Sequence, residues 1–378
     1  MRILIITHNN NENSGANKSL MSLIDEWKNS NIYMEVVVNK TKGNLPSLIQ
    51  EKGLKCLQID YNWICSPRRH NWLRDNIVYF RSKINYIKGL FFVDHFFENC
   101  KLKKYDLIYT NTSVVDLGAL LSLKLNIPHI WHFREFGEED FHFKYVISQK
   151  QRIKLYNSAK KIIVISKALK EKYKTYIPEE KIELISNGVE INKHLYTNNN
   201  VLHNPIQLLI AGQISKSKGQ DQAIKAVNLL GDKYPIVLNI AGKGEQKFLK
   251  EAFKNVSNKK CIKVLGQVSN LYELRKKIDI ELVCSKSEAF GRVTLEAMLH
   301  QIPVIGARAG GTAELLCDNE TGLLYELYNY KELSDKIEKL ILDDSLRKNI
   351  AFNGQFFAQK FDIKITAEKI LKLFYENI

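Results

Sequence analysis

The sequence predicts an α/β protein made of two doubly wound parallel sheets. Three observations lead there. Short apolar, β-rich runs alternate with helical stretches almost from end to end, the pattern of parallel sheets covered by helices on both faces. The runs fall into two series, parted by the polar stretch NKHLYTNNNVLHN from Asn192 to Asn204. Several of them end in glycine-containing loops just where a helix starts, the place where open α/β sheets bind ligands.

The first series puts strands at Arg2 to Thr7, Tyr33 to Val38, Leu54 to Ile59, Asp106 to Asn111, His129 to Phe133, Lys161 to Ser166 and Ile182 to Ser186. The second puts them at Gln207 to Gly212, Ile236 to Ala241, Ile262 to Gly266, Ile280 to Cys284 and Pro303 to Ala307. The expected organisation is a first domain over 1–190, a linker over 191–204 and a second domain over 205–355. A C-terminal helical segment over 356–378 follows, with Ile363, Ile365, Ile370, Leu371, Leu373 and Phe374 as its apolar stripe. With two such domains, a cleft between them is the expected site. There is no short fixed repeat, which sets solenoids and propellers aside.

Composition is that of an ordinary globular protein, 45% hydrophobic and 26% charged over 378 residues. No apolar run approaches the roughly 20 residues needed to span a bilayer, and the opening MRILIIT turns polar at once, which suits a first strand. A cytoplasmic protein is expected. The six cysteines are scattered without metal-site or disulfide-scaffold spacing and read as mostly buried thiols. A net charge of +15 attracts phosphates, anionic lipid or nucleic acid. Nucleic acid is not expected, because no recognition motif accompanies the charge. Between Trp63 and Lys104, Arg68, Arg69, Arg74, Arg81, Lys83, Lys88, Lys101, Lys103 and Lys104 interleave with eight aromatic residues. That mixture suits peripheral contact with an anionic membrane at its inner face; ordinary amphipathic helices with core aromatics are the alternative.

Three loops are candidates for an anion. In HNNNENSGANKSL, Ser14, Gly15 and Ala16 stand at a helix start, where a backbone without Cβ can approach a ligand and free amides favour negative charge. In AGQISKSKGQD, Lys216 and Lys218 precede a helix beginning near Gly219, a plausible diphosphate clamp that lacks the spacing of a Walker A loop. AGKGEQKFL, with Gly242, repeats the strand, glycine and helix order. The stretch SEAFGRVTLEAM then sets Glu288 and Glu296 eight residues apart around Phe290, Gly291 and Arg292. If Glu288 lies in the loop and Glu296 in the second helical turn, both can address one bound molecule. Carboxylates accept bonds from paired hydroxyls, and the amides of Gly291 and Arg292 suit phosphates or a sugar hydroxyl. Glu138, Glu139 and Asp140 read as solvated loop.

The succession AGQISKSKGQD, NIAGKGEQ, VLGQV, CSKSEAFGRVTLEAMLHQIPVIGARAGGTAELL and NETGLLY closely resembles the C-terminal half of the family 4 retaining glycosyltransferases of GT-B fold. In the first half SGANKSL, IWHFREFGEED and LISNGVE are similar to that family's acceptor-side loop, cleft histidine segment and linker entry. The resemblance implies two Rossmann-like domains facing a central cleft, with the last helix crossing back to the first. It implies a nucleoside-diphosphate sugar as substrate, a UDP-sugar favoured and a GDP-sugar second, a glycan or lipid-linked acceptor, no cofactor and no required metal. Glu288 would then contact the donor sugar beside the backbone of Phe290, Gly291 and Arg292, and Glu296 would hold the ribose. Lys218, helped by the amide of Gly15, would neutralise the leaving diphosphate, with Gln213 and Gly242 also on the donor. His132 would sit near the reacting sugar, and Ser14, Ala16 and Arg134 on the acceptor side. Gln213 stands where the family commonly has Arg, so Lys216 or Arg292 would have to compensate.

The residue types fit such chemistry. Breaking a sugar–diphosphate bond creates an oxocarbenium-like sugar and a developing anion, which cations and aimed amides stabilise. The departing phosphate can take the acceptor's proton, so no strong base is required. The rival expectations are a GT-B epimerase or phosphorylase, and a non-catalytic nucleotide-binding partner of a transferase complex.

Overall fold

The computed structural model describes residues 1–66, 72–101, 105–198, 200–254 and 256–378. Arg68, Arg69, Lys103 and Lys104, and the side chains of Trp72, Phe92, Phe97 and Lys101, lie outside what is described. The chain forms two compact units, Met1–Gly188 joined by Ile363–Ile378, and Val189–Asp362.

The first unit carries β1 (Arg2–Ile6), β2 (Tyr33–Asn39), β3 (Lys55–Ile59), β4 (Cys65–Ser66), β5 (Leu107–Thr110), β6 (His129–Phe133), β7 (Lys144–Tyr145), β8 (Lys161–Val164) and β9 (Ile182–Leu184). Seven of these form a parallel sheet in the order β3-β2-β1-β5-β6-β8-β9, while β4 and β7 pair antiparallel beside it. The second unit carries β10 (Ile206–Ala211), β11 (Ile236–Ala241), β12 (Ile262–Gly266), β13 (Ile280–Val283), β14 (Val304–Ala307) and β15 (Leu323–Tyr325) in the order β12-β11-β10-β13-β14-β15. Each expected strand is present with ends moved by no more than two residues. Three were not expected, because Cys65–Ser66, Lys144–Tyr145 and Leu323–Tyr325 are too short to show a pattern.

In each sheet the order reverses beside the first strand, between β1 and β5 and between β10 and β13. Crossovers leave such a strand pair in opposite directions, so a crevice opens at the carboxyl ends there. Residues 7–16 and 111–116 reach that point in the first unit, and 212–219 and 284–291 in the second. The central strands are buried on both faces, as parallel sheets require, while the edge strands β3 and β12 are partly exposed.

The terminal helix Ile363–Tyr375 belongs to the first unit. Phe374 packs on Trp27 and Tyr109 at ring separations of 5.4 and 5.3 Å, and Trp27 Nε1 donates to the carbonyl of Ala367 at 3.0 Å. Gly188 lets the chain pass this helix, since a Cβ there would lie 2.4 Å from the Ile363 Cα. Ile365, expected in the apolar stripe, faces outward. Two boundaries also differ from expectation. Residues 356–362 stay with the second unit, because the helix Asp344–Ala358 continues through them into a turn. The polar stretch 191–204 is no free linker either. The Tyr196 amide donates to Leu299 O at 3.0 Å, and Asp279 accepts from the His203 ring at 2.8 Å, so backbone and side-chain bonds hold the stretch on the second unit. Of the described cysteines, Cys65, Cys261 and Cys284 are buried as expected, Cys56 is half-buried and Cys317 lies at the surface.

Candidate active site

In the second unit the loops after β10 and β13 meet. Gly219, at a φ of +69°, ends the short 3-10 turn Lys216–Lys218, and a Cβ on it would lie 2.3 Å from the Cys284 carbonyl. Only glycine permits that approach in the left-handed region. The loops are further tied by the Lys286 amide donating to Ser217 O at 2.8 Å. Lys218 is thereby carried to Glu288, and its Nζ donates to Glu288 Oε2 at 2.5 Å with both side chains partly buried. The Glu288 backbone is braced from behind, where the Gly311 amide donates to its carbonyl at 2.6 Å and Gly310, at φ +53°, leaves no room for a Cβ.

Gly291, at φ +102°, caps the helix Arg292–Leu299, so Glu288 lies in the loop and Glu296 in the second turn. The first amides of that helix have no intrahelical acceptor. Phe290 contributes backbone only, since its ring is buried and meets Phe361 edge-on at 5.8 Å. Glu296 accepts from Arg275 at 2.8 Å and lies 3.6 Å from Arg292. Burial alone would raise its carboxyl, but Arg275, Arg292 and His194 outweigh that and hold it down to about 2. The carboxylate is therefore ionised at neutral pH, an acceptor only.

One expected donor contact needs correction. The Gly242 amide already donates to Gly266 O at 2.7 Å, and a Cβ at Gly242 would strike the Gly212 carbonyl at 1.8 Å. This glycine serves the packing of two loops and offers no amide to an anion. The Gln213 side chain is exposed and open to a ligand, while the backbone carbonyl of Gln213 accepts from Gln220 Nε2 at 3.0 Å.

In the first unit Ser14 caps the helix Gly15–Trp27, its Oγ accepting from the Asn17 amide at 3.3 Å. Gly15 is exposed, and a Cβ there would meet nothing within 4 Å, so its φ and packing do not demand glycine; what it leaves is open approach. A hydrogen-bonded chain joins the remaining candidates. Asn111 Nδ2 donates to Ala16 O at 2.9 Å, Arg134 Nε donates to Asn111 Oδ1 at 2.8 Å, and Arg134 also donates to Asn187. Tyr109 Oη lies 2.6 Å from His132 Nδ1, which Arg134 approaches at 3.3 Å.

An arginine only donates, so His132 Nδ1 is an acceptor and Nε2 carries the proton. His132 is fully buried, and both burial and the nearby Arg134 push it well below the usual imidazole range. It is a neutral donor whose Nε2 has no partner among the described residues. Arg134 is likewise spent on side chains of its own unit.

The expectation of a solvated acidic loop fails at Asp140. It accepts from the amides of Phe136 and Gly137 at 2.9 and 2.6 Å, and burial, eased by those bonds, raises it to about 6. Among the described residues no group of three His, Cys, Asp or Glu is placed to hold a metal. The sequence reading missed Tyr109, Asn111, Asn187, Arg275 and Glu281. Glu281 alone carries a signal, as a lone carboxylate inside the apolar run IELVC must find a buried cation.

The sequence model of glycosyl transferases group 1 matches residues 195–356, and that of glycosyltransferase family 4 matches residues 13–193. An uncharacterized glycosyltransferase of Methanocaldococcus jannaschii is 31% identical over 69% of this chain and 72% of its own. The chain belongs to the group 1 glycosyltransferases. The family relatives include the capsular polysaccharide biosynthesis glycosyltransferase CapM of Staphylococcus aureus, 28% identical over 61% of this chain and 66% of CapM. Another is the N,N'-diacetylbacillosaminyl-diphospho-undecaprenol alpha-1,3-N-acetylgalactosaminyltransferase of Campylobacter jejuni, 30% identical over 54% of this chain and 51% of that protein. In fold, this glycosyltransferase is similar to Anabaena HepE solved with UDP, at a TM-score of 0.80 and 21% identity over the whole of both chains. The fold of the chain is GT-B.

Proposed function

We propose that this glycosyltransferase moves a sugar from a nucleoside-diphosphate sugar, a UDP-sugar first and a GDP-sugar second, to a glycan or lipid-linked acceptor, with retained anomeric configuration and no required metal. The product would enter cell-surface polysaccharide or glycolipid. The observation that carries the reading is the Lys218–Glu288 pair at 2.5 Å at the switch point of the second sheet, with the ionised Glu296 in the helix that follows. Lys218 is the one to turn from Glu288 to the diphosphate as charge develops there, releasing Glu288 to the sugar hydroxyls. HepE has been solved with UDP and with UDP-glucose, which favours uridine among the bases. The Campylobacter relative is named for a diphospho-undecaprenol substrate, which favours a lipid-linked acceptor.

The test is turnover of UDP-glucose, UDP-N-acetylglucosamine and GDP-mannose, with the anomeric proton of donor and product followed by NMR. Retention with an acceptor present, unchanged by chelator, is expected. Nucleotide binding without turnover of any donor would replace the reading with a non-catalytic partner. Conversion of a donor without an acceptor would point to an epimerase, and phosphate-dependent cleavage of a glycan to a phosphorylase.

The same reading includes a peripheral stance at the inner face of an anionic membrane. Its support is the 30-residue helix Trp72–Lys101. Leu73, Ile77, Phe80, Ile84, Ile87 and Phe91 are each half to three-quarters exposed. Their spacing keeps them within an arc of about 80° over roughly 27 Å. The opposite side is bound to the unit: Ser82 Oγ lies 3.1 Å from Ser66 Oγ, and Tyr86 donates to Asp116 at 2.6 Å. Arg74, Arg81 and Lys88 border one edge of the stripe and Lys83 the other, so two copies pairing through it would oppose like charges. An anionic lipid surface instead receives both the apolar side chains and the cations. Among the described residues no helix is long and apolar enough to cross a membrane. Binding to anionic vesicles at low salt, absent for neutral vesicles and lost in Phe80→Glu/Ile84→Glu, is expected. Concentration-dependent dimers without vesicle binding, or indifference to both, would overturn this stance.

A further inference from the structure

Glu296 is not held by its own helix alone. Beneath it, Arg275 ends the helix Leu271–Arg275 with its side chain wholly enclosed. Its Nε and Nη2 grip Glu281 of β13 at 2.9 and 3.0 Å, the parallel two-point geometry that suits a guanidinium and a carboxylate. The remaining Nη1 reaches Glu296 at 2.8 Å, and Nη2 also lies 3.4 Å from the Val293 carbonyl. Taking three charges out of water is costly, and replacing such a group with apolar side chains commonly does not weaken a fold. Stability alone therefore does not explain the arrangement. Among the described residues, its contacts with the candidate site are to the Glu296 carboxylate and to the Val293 carbonyl of the same helix.

We propose that Arg275 is a positioning residue for Glu296: Glu281 fixes the guanidinium, and the guanidinium in turn aims the carboxylate and supplies its counter-charge. The inference rests on the reading of Glu296 as the ribose-binding group. Each carboxylate oxygen accepts more than one bond, so the Arg275 contact leaves lone pairs for vicinal hydroxyls. Arg275 is always charged, and its positive charge opposes the alternative in which Glu296 carries a proton and offers a donor to the ligand.

The groups facing Glu296 are few. From its own helix come Arg292 at 3.6 Å and His300, whose Nδ1 lies 2.7 Å from the Glu296 carbonyl. His194 approaches from the segment before the second sheet, with Glu190 acting on His194 in turn, and Glu281 from β13. Burial lowers both His194 and His300, so neither replaces the charge of Arg275 near neutrality. Arg292 is nearer the surface and farther away. Without Arg275 the largest of the charges that hold the carboxyl down is lost, and the carboxyl rises.

Arg275→Met alone would strand Glu281, so the decisive variant is Arg275→Met/Glu281→Leu, which leaves no unpaired buried charge on that side. Two measurements are made on wild type, the double variant and Arg275→Lys. The first is the titration of the Glu296 carboxyl by carbon-13 NMR, with Glu296→Gln used to assign it. In wild type it stays ionised down to about pH 3; in the double variant it titrates above pH 4.5, and Arg275→Lys lies between. This readout needs no nucleotide and stands apart from the reading of function. The second is UDP affinity from pH 5 to 8, flat in wild type and, in the double variant, at least tenfold weaker at pH 7 and weaker again at pH 5. An unmoved Glu296 titration in a folded double variant overturns the proposal. A moved titration with unchanged UDP affinity keeps the positioning of Glu296 and overturns its ribose role instead.

Discussion

Lys218→Ala separates a catalytic role from a structural one. In the resting protein Lys218 makes a 2.5 Å ion pair with Glu288, at side-chain exposures of 30% and 15%. A pair this close to water contributes about 1 kcal/mol or less to stability, so Lys218→Ala should lower the melting temperature by no more than about 4 °C. Its effect on the reaction is of another size. Loss of one preorganised donor from a developing anion costs roughly 2.7–4 kcal/mol, a drop in kcat of about 100- to 1000-fold. Lys218→Arg keeps the charge with different reach and should recover part of it. The assay is release of nucleoside diphosphate with acceptor present, run beside circular-dichroism melts of the three proteins. Activity of Lys218→Ala within threefold of wild type would refute the assignment. A melting drop of 10 °C or more would show that the pair is structural.

Other outcomes follow from the same structure. Lys216 is exposed on the turn before Lys218 and makes up for Gln213 only if Lys216→Ala lowers kcat nearly as far as Lys218→Ala; with Arg292 already 3.6 Å from Glu296, a drop of about 100-fold is expected in the same assay, and one under tenfold would show that Lys216 does not compensate. Phe374→Ala empties a fully buried site against Trp27 and should cost the first unit about 3–5 kcal/mol in urea unfolding, while nucleotide affinity in the second unit stays unchanged. Glu296 contributes through a carboxyl held down to about 2 against an ordinary 4.5. A group so lowered stabilises fully above pH 4.5 and loses its effect as pH falls toward 2. The stability gap between wild type and Glu296→Gln, roughly 3 kcal/mol at pH 7, should therefore narrow as pH falls through 4. A gap that stays constant to pH 3 would contradict the assignment.

Much of this was readable in the sequence because parallel strands are buried on both faces and announce themselves as apolar runs. The glycine loops were readable as well, but not always for the right reason. Gly219 brings Lys218 to Glu288, whereas Gly242 only lets two loops touch and spends its own amide. Sequence spacing cannot tell these apart, because both follow a strand and precede a helix. His132 was found by resemblance, but its enclosure and tautomer come from Tyr109 and Arg134, which a linear reading does not bring together. The basic and aromatic stretch divided by face: Tyr86 turned inward to Asp116 and Phe80 outward, a distinction set by helical phase. The stretch 191–204 looked like a linker because it is polar, yet Asp279 and Leu299 hold it in place. Arg275 went unseen since its partners lie six and 21 residues away.

The most direct measurement is thermal stability with UDP, GDP, ADP and CMP, on wild type and on Glu296→Ala. A nucleotide at about 100 times its dissociation constant adds roughly 2.7 kcal/mol to the folded state, a shift well within reach of the method. Stabilisation of wild type by UDP above the others, lost in Glu296→Ala, is the expected result. If no nucleotide shifts wild type, the donor site assigned to Lys218, Glu288 and Glu296 is contradicted.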